Sequence, residues 1–330
     1  MKSKYLLTIL LLCLGSAGLA QLKLPAVISN NMIIQRNSRA PIWGWAAAGE
    51  KITVTFRDKT YTAQTGSDGK WMLQLDATKA GGPFEMTVNG NGSTIKLSNI
   101  WAGDVWIASG QSNMEFGIQT DSLAEESIAA ATDSLIHFFV VPMTPSLQLQ
   151  KDIAAVPGTS LNGQWVVCSP QLMASENWAW HGFSAVGYYF AKEIRKATGS
   201  PVGMIGTYKG GTPAQAWISI DGLQQSPAFT EYVSAHQLLL GNYDNALAAY
   251  PAKQAAFREE LKQWNKASGK PRPREPMQPN GGFNAPSNLY NAMIAPLVPY
   301  AIKGVIWYQG ESNGDRLNNA VEYATLFPRL

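Results

Sequence analysis

The sequence predicts an α/β fold in which a parallel sheet is flanked by helices and preceded by a small N-terminal β-sandwich. Two observations support this prediction. Residues 21–98 contain short runs in which apolar and polar residues alternate, as in strands with one buried face. From residue 99 to residue 330, continuous apolar runs alternate with segments of helical periodicity. That alternation is typical of a parallel sheet whose loops gather at its carboxyl edge.

The N-terminal part, residues 21–98, is predicted to be an immunoglobulin-like β-sandwich. Its turns are marked by Ser67-Asp68-Gly69, Gly81-Gly82-Pro83 and Asn89-Gly90-Asn91-Gly92, residue types that favour tight turns. A module of this kind can bind glycans, but we favour the alternative of a scaffold packed against the domain that follows. The strands are predicted at Lys51–Phe56, Lys59–Ala63, Lys70–Leu75 and Phe84–Val88.

The second part, residues 99–330, is predicted to supply the parallel sheet. Helical spacing of apolar residues predicts a helix at Ser184–Thr198, with Gly199 as its C-terminal cap. An insertion over the carboxyl edge is predicted at about residues 221–286, with an amphipathic helix at Ala252–Lys266. A stiff charged connector follows it. The strands are predicted at Val105–Ser109, Ile136–Val141, Val202–Thr207 and Gly304–Tyr308, and the connector at Lys270–Pro276.

Residues 1–20 have the pattern of a secretory signal peptide. Lys2 and Lys4 precede an apolar run from Tyr5 to Leu14, and small residues follow up to Ala20, where cleavage is expected. The apolar run is shorter than the ~20 residues of a membrane span. We therefore expect a secreted or periplasmic protein with no stable membrane insertion after cleavage.

Charge and composition exclude several classes of partner. The formal net charge is +3, and loss of the two signal-peptide lysines brings it closer to neutral. Nucleic-acid binding requires a basic face, so no nucleic-acid partner is expected. The histidines are scattered without i, i+4 spacing, and cleavage leaves Cys168 as the remaining cysteine, so neither a metal site nor a disulfide is predicted. No glycine-rich phosphate loop opens a helix after a strand, and we predict no cofactor.

Three polar loops follow apolar runs, and the first places a serine at a strand-to-helix corner. Ser112 lies in Gly110-Gln111-Ser112-Asn113, directly after Val105–Ser109. Hydrolases expose nucleophiles at such corners, because glycine permits the sharp turn and N–H groups of the next helical turn can hold a negative oxygen. The residues alone leave two interpretations of Ser112 open, nucleophile or helix N-cap. The other loops are Gly210-Gly211-Thr212-Pro213 and Trp307-Tyr308-Gln309-Gly310-Glu311-Ser312-Asn313.

Together these loops resemble the sialate O-acetylesterase family, a carbohydrate acetylesterase branch of the SGNH hydrolases. The strings Gln111-Ser112-Asn113-Met114 and Gln309-Gly310-Glu311-Ser312 are typical of that branch, and the resemblance extends from Leu24 to Leu330. It implies a flavodoxin-like sheet and removal of O-acetyl groups from sialic acids or other acetylated sugars by a serine nucleophile. The expected partner is therefore an acetylated sugar or glycan.

The resemblance also assigns roles to individual residues. Ser112 is the expected nucleophile. The negative oxygen that develops on the acetyl carbonyl would be held by the N–H of Ser112, by Gly210 or Gly211, and by the amide of Gln309. Three neighbouring residues are expected to fix the geometry of the loops: Gln111, Asn113 and Glu311. For Glu311 an alternative role, accepting a hydrogen bond from a sugar hydroxyl, stays open.

The catalytic base is the weak point of this assignment. The family takes its base from an Asp-x-x-His motif well downstream of the Gln-Gly-Glu-Ser string, and the sequence ends at Leu330 before that point. We therefore expect a C-terminally truncated family member, an incomplete α/β domain, and little activity from this chain alone. His137 opens an apolar strand and is expected to be structural, and His236 lies in the insertion. His181, in a loop, is the alternative candidate base.

Two rival interpretations stay open. Gly310-Glu311-Ser312-Asn313-Gly314 fits the G-x-S-x-G elbow of α/β-hydrolases. That fold orders its triad serine, acid, histidine, and no histidine follows Ser312 in this sequence, so we disfavour it. The second rival is an inactive homologue that acts as a glycan-binding protein.

Overall fold

A computed structural model gives the architecture over residues 21–154, 161–175, 182–265, 269–314 and 317–330. The predicted signal peptide, residues 1–20, and the candidate base His181 lie outside these described residues. No helix within the described ranges combines the length and apolar content that crossing a membrane requires.

The alternating runs near the N-terminus form strands that bury one face. In the strand that begins at Lys51, the side chains of Ile52, Val54 and Phe56 are buried while Lys51 is exposed. The four strands predicted in this part are present. The strands are β1 Ile33–Gln35, β2 Ala40–Trp45, β3 Lys51–Phe56, β4 Lys59–Gln64, β5 Lys70–Leu75, β6 Gly81–Gly90 and β7 Ser93–Gly110.

The apolar runs of the second part form a mostly parallel sheet. Its further strands are β8 Ile136–Val140, β9 Trp165–Val167, β10 Val202–Tyr208 and β11 Gly304–Tyr308. The order is β11-β7-β10-β8, all parallel, with β9 antiparallel beside β8. Every residue of β8 and β10 is buried, because helices and loops cover both faces of a central parallel strand. The predicted fold class is confirmed.

Strand β7 connects the two parts of the chain. It pairs with β6 up to Ala102, and its residues 101–103 pair with β1. Residues 104–110 then pair with β10. The predicted boundary between residues 98 and 99 therefore falls inside β7, and β3, β4 and β6 belong to the same continuous sheet as the parallel strands. Strands β2 and β5 form a second, two-stranded sheet. The division into two domains stays a prediction.

The main predicted helix begins and ends almost where its sequence signals indicate. The side chain of Ser184 accepts a hydrogen bond from the Gly187 N–H, and Gly199 ends the helix with a φ of 65°, a conformation that favours glycine. The α-helices are α1 Ser112–Glu115, α2 Ala124–Ala129, α3 Pro170–Met173, α4 Ala185–Thr198, α5 Ile220–Gln224, α6 Thr230–Gln263 and α7 Leu317–Leu326. Short turns of other helix types lie at Ile118–Thr120, Ala214–Ala216, Pro227–Phe229, Tyr290–Ile294, Ala295–Leu297, Glu311–Asn313 and Phe327–Arg329.

The insertion contains a longer helix than the sequence predicted. Helix α6 starts at Thr230, whereas the predicted helix started at Ala252. Proline is common in the first turn of a helix, but Pro251 lies inside α6. An interior proline removes one helical hydrogen bond, and the alanines and leucines around it are strong helix formers that offset this cost. The connector after α6, residues 270–276, has no regular secondary structure, as predicted.

Candidate active site

The three polar loops begin side by side at the carboxyl edge of the sheet. Gly110, the last residue of β7, is in register with Tyr208 at the end of β10 and with Tyr308 at the end of β11. Because these strands are parallel and adjacent, the loops that follow them must lie together. The structure thus brings together the first loop (residues 110–116), the second loop (209–213) and the third loop (309–314).

Gly110 makes the turn that presents Ser112. Its φ is 141°, which only glycine adopts readily, and a Cβ added here would overlap the backbone of Tyr308. The next N–H, that of Gln111, donates to the Tyr308 carbonyl oxygen at 2.9 Å. Ser112 then begins α1 with an exposed side chain. Among the described residues, no group hydrogen-bonds to its hydroxyl.

An open cavity of about 450 Å³ lies in front of Ser112. Phe116, 46% exposed, contributes an aromatic face to it. The lining residues come from the first two loops and the turn after them: Ser112, Glu115, Phe116, Gly117, Thr120, Lys209, Gly210 and Gly211. The predicted nucleophile and both predicted second-loop glycines therefore share one cavity.

The residues expected to fix the loops connect the first loop to the third. Gln111 is 3% exposed, and its side-chain oxygen accepts the N–H of Gly310 at 3.3 Å and that of Ser312 at 3.2 Å. The Asn113 amide donates to the Glu311 carboxylate. These bonds prevent the loops from moving apart independently. They also use one Glu311 oxygen that a sugar hydroxyl would otherwise contact.

Gln309 connects the third loop to the second. Its amide nitrogen donates to the Thr212 carbonyl oxygen at 3.2 Å and to the Asn313 side-chain oxygen at 2.8 Å. Its own side-chain oxygen is buried and has no partner among the described residues. To stabilise an oxyanion, the Gln309 amide would have to share one of these two N–H groups. Its role as an oxyanion donor stays a prediction.

The two candidate glycines of the second loop differ in what their N–H groups do. The Gly210 N–H donates to the Glu115 carboxylate. A Cβ added at Gly210 would lie 3.5 Å from the Cβ of Ser112, so Gly210 packs directly beside the predicted nucleophile. Gly211 has a φ of 72°, and within the part of the chain that the structure describes nothing accepts its N–H.

Comparison with known proteins shows which proteins this chain resembles. No family model matches the chain. It is 30% identical to the sialate O-acetylesterase of Rattus norvegicus over 92% of this chain and 54% of the relative, and 30% identical to that of Homo sapiens over 96% and 53%. The crystal structure of a carbohydrate acetylesterase from Xanthomonas citri matches with a TM-score of 0.68 and 30% identity, covering 93% of this chain and 55% of that one. Over most of its length the chain is similar to sialate O-acetylesterases. It spans about half the length of the curated relatives that it matches.

Sequence reasoning missed two buried polar residues of this site. Asn313 is 3% exposed; its side-chain oxygen accepts the Ala214 N–H at 2.8 Å, and its amide donates to Gln215 at 3.1 Å. It thereby joins the third loop to the turn after the second. A signal was present, because Ser312-Asn313 repeats the Ser112-Asn113 of the first loop.

Glu115 is the second missed residue. It is 6% exposed and lines the cavity. Burial raises the pKa of its carboxyl above the usual glutamate value, while the Lys209 charge and the Gly210 N–H oppose that rise. Its sequence signal is its spacing: Glu115 is three residues after Ser112, and residues three apart share one face of a helical turn.

His137 lies at the opposite end of the sheet from Ser112. It is fully buried, and its ring nitrogens are hydrogen-bonded to the carbonyl oxygens of Asn31 and Ser134. Through β10 it is level with Val105, five residues before the end of β7, which corresponds to roughly 16 Å along a strand. Burial lowers its pKa. These contacts give His137 a structural role, as expected.

His236 and Ser312 also lie in structural positions. His236 is 6% exposed, and its Nδ1 is hydrogen-bonded to the Pro286 carbonyl oxygen at 3.2 Å. Ser312 lies in the loop after β11, the strand that pairs with β7. The Ser312 N–H donates to the side-chain oxygen of Gln111. Neither His137 nor His236 is hydrogen-bonded to Ser112.

Proposed function

We propose that this chain forms the serine-esterase site of a carbohydrate O-acetylesterase, which removes O-acetyl groups from sialic acids or other acetylated sugars. The observation that carries the proposal is the exposed Ser112 at a glycine corner, beside Gly210, in an open cavity. The chain's 30% identity to sialate O-acetylesterases supports the same chemistry. Because residues 1–20 have the pattern of a secretory signal peptide, we expect the enzyme to act in a secreted or periplasmic location.

The proposed reaction has two steps. The Ser112 oxygen attacks the acetyl carbonyl, a base accepts the hydroxyl proton, and the bond to the sugar oxygen breaks as that oxygen is protonated. Water then attacks the acetyl-serine and releases acetate. N–H groups of Ser112 and the second loop, with the Gln309 amide, stabilise the negative oxygen in both steps. By resemblance, the base is the histidine of an Asp-x-x-His motif, with His181 as the alternative.

The cavity suits a sugar substrate. A half-exposed phenylalanine, Phe116, can lie against the apolar face of a pyranose ring, and the backbone of the second loop lines the same cavity as the serine.

The proposal is tested by measuring acetate release from O-acetylated sialic acid and from acetylated xylan with the full-length protein. A fluorophosphonate, which reacts with activated serines, should label the wild type and Ser312→Ala on one site and leave Ser112→Ala unlabelled in intact-mass spectra. Absence of acetate release and of labelling, together with sugar binding on a glycan array, would instead favour the rival glycan-binding protein.

Gln309→Ala provides a test of the third loop. If the amide stabilises the oxyanion, kcat falls by about 100-fold, corresponding to ~3 kcal/mol, with little change in KM because the bond strengthens only as charge develops. Steady-state kinetics on one acetylated sugar separate the two constants. A rise in KM at constant kcat would mean that Gln309 binds the sugar instead.

A further inference from the structure

A glutamate carboxyl is buried against the second loop, behind the predicted nucleophile. Glu115 is 6% exposed. One carboxyl oxygen, Oε2, accepts the Gly210 N–H. The other, Oε1, is shielded from solvent and has no hydrogen-bond partner among the residues with described coordinates. A carboxylate in this position is costly, because burial disfavours charge and one oxygen stays unsatisfied.

The surroundings of Glu115 do not compensate fully for that cost. The charged and titratable groups that interact with it in the described structure are Tyr208, the last residue of β10, and Lys209, the first residue of the second loop. Lys209 lies close enough to lower the pKa of Glu115, yet burial still raises it overall. A neutral side chain of similar size would fill the same space at lower cost. Costly polar groups that persist in a cavity are candidates for function.

Glu115, Gly210 and Ser112 form a contiguous group. A Cβ added at Gly210 would lie 2.9 Å from the Glu115 Oε2 and 3.5 Å from the Ser112 Cβ. The Glu115 carboxylate and the Ser112 side chain therefore both pack against Gly210. Since Oε1 is shielded from solvent and Oε2 is bound to the Gly210 N–H, we expect Glu115 to act on the reaction through Gly210 and not through substrate.

A charge-assisted hydrogen bond fixes the orientation of the peptide that it binds. With its N–H on Glu115, Gly210 cannot direct that N–H into the cavity. The following N–H, that of Gly211, is unbound within the described structure, and Gly211 lines the cavity. Its φ of 72° turns the chain at this point.

We propose that Glu115 is a positioning residue that anchors the second loop through the Gly210 N–H, so that Gly211 supplies the second-loop N–H to the oxyanion. The inference rests on the proposed esterase function. It selects Gly211 between the two glycines that the sequence left open, and it adds Glu115 to the site.

The test is a kinetic double-mutant cycle in the full-length protein. Glu115→Ala should lower kcat by about 10- to 100-fold and change KM by less than about threefold, the signature of a lost transition-state contact. Gly210→Ala should cause a similar loss, because its Cβ displaces the carboxylate. The kcat of the double variant should lie within about threefold of the lower of the two single-variant kcat values, because the effects of coupled residues are not additive. Losses that multiply would overturn the proposal.

Conservative replacement separates positioning from simple packing. Glu115→Gln keeps an acceptor for the Gly210 N–H and should recover at least about a third of wild-type kcat. Glu125→Ala, an exposed glutamate on α2, and Gly241→Ala, a helical glycine with open space around it, are the matched controls and should retain wild-type kcat. If Glu115→Gln is as slow as Glu115→Ala, the Gly210 hydrogen bond is not the reason for the effect.

Stability against pH gives a readout that does not depend on the esterase reaction. A carboxyl whose folded pKa is raised destabilises the fold at high pH. This cost is absent below the unfolded pKa of ~4.3, grows as pH rises from that value to the folded pKa, and is constant above it. The urea midpoint of wild type should therefore fall relative to that of Glu115→Gln as pH rises above ~4.3, and the difference should level off once pH exceeds the raised pKa of Glu115. A difference between the two urea midpoints that does not change with pH would contradict the presence of a buried, destabilised Glu115 carboxylate. An inactive wild type with the expected pH trend would instead refute only the esterase function.

Discussion

Replacing Ser112 with alanine should reduce acetate release from an acetylated sugar by about 10⁴-fold. In the proposed mechanism the Ser112 oxygen forms the acetyl-enzyme, and among the residues that the structure describes no other serine lines the cavity. The remaining rate would come from binding and from the backbone N–H groups around the oxyanion. The measurement is kcat for the full-length protein, with product acetate quantified enzymatically.

Ser312→Ala is the matched control for this experiment. Ser312 contributes its backbone N–H to Gln111, and that contact survives removal of the hydroxyl. Its kcat should stay within about threefold of wild type. Comparable losses in the two variants, or an active Ser112→Ala, would reject Ser112 as the nucleophile.

Replacing Gly110 with alanine should have the largest effect on stability. The added Cβ would overlap the Tyr308 backbone, and alanine cannot readily adopt a φ of 141°. Relieving the overlap separates β7 from β11 at the point where Gln111 bonds to Tyr308. We expect the free energy of unfolding to fall by more than ~3 kcal/mol, measured by urea denaturation.

Gly92→Ala separates backbone strain from steric overlap. Gly92 has a φ of 74° and open space where a Cβ would lie, so its replacement should cost only about 1 kcal/mol, the usual cost of a left-handed conformation. If Gly110→Ala is no more destabilising than Gly92→Ala, close approach to β11 is not what requires a glycine at position 110.

The elements that the sequence predicted well are those with local signals. β11 was predicted at its observed bounds because the run Gly304–Tyr308 is apolar throughout, and α4 because Ser184 and Gly199 are strong cap residues. The start of α6 was not predictable from a local signal. The helix-breaking cost of Pro251 is offset by the helix propensities of many neighbours, and no single residue shows that the helix continues through the proline.

The polar contacts of the site were less accessible to sequence reasoning. Ser112 and Gln309 stand in recognisable strings, but the partners of Glu115 and Asn313 come from segments about a hundred residues away in the chain. Such contacts depend on the register of adjacent strands. That register became visible only when Gly110, Tyr208 and Tyr308 were found side by side.

The continuity of β7 also restricts how this protein can change in evolution. The strand begins at Ser93, beside the N-terminal strands, and ends at Gly110, two residues before Ser112. Recombination at residues 98 and 99 would join two half-strands that must match in twist, register and side-chain alternation. The N-terminal strands are therefore expected to be inherited together with the three polar loops and not exchanged as an independent unit.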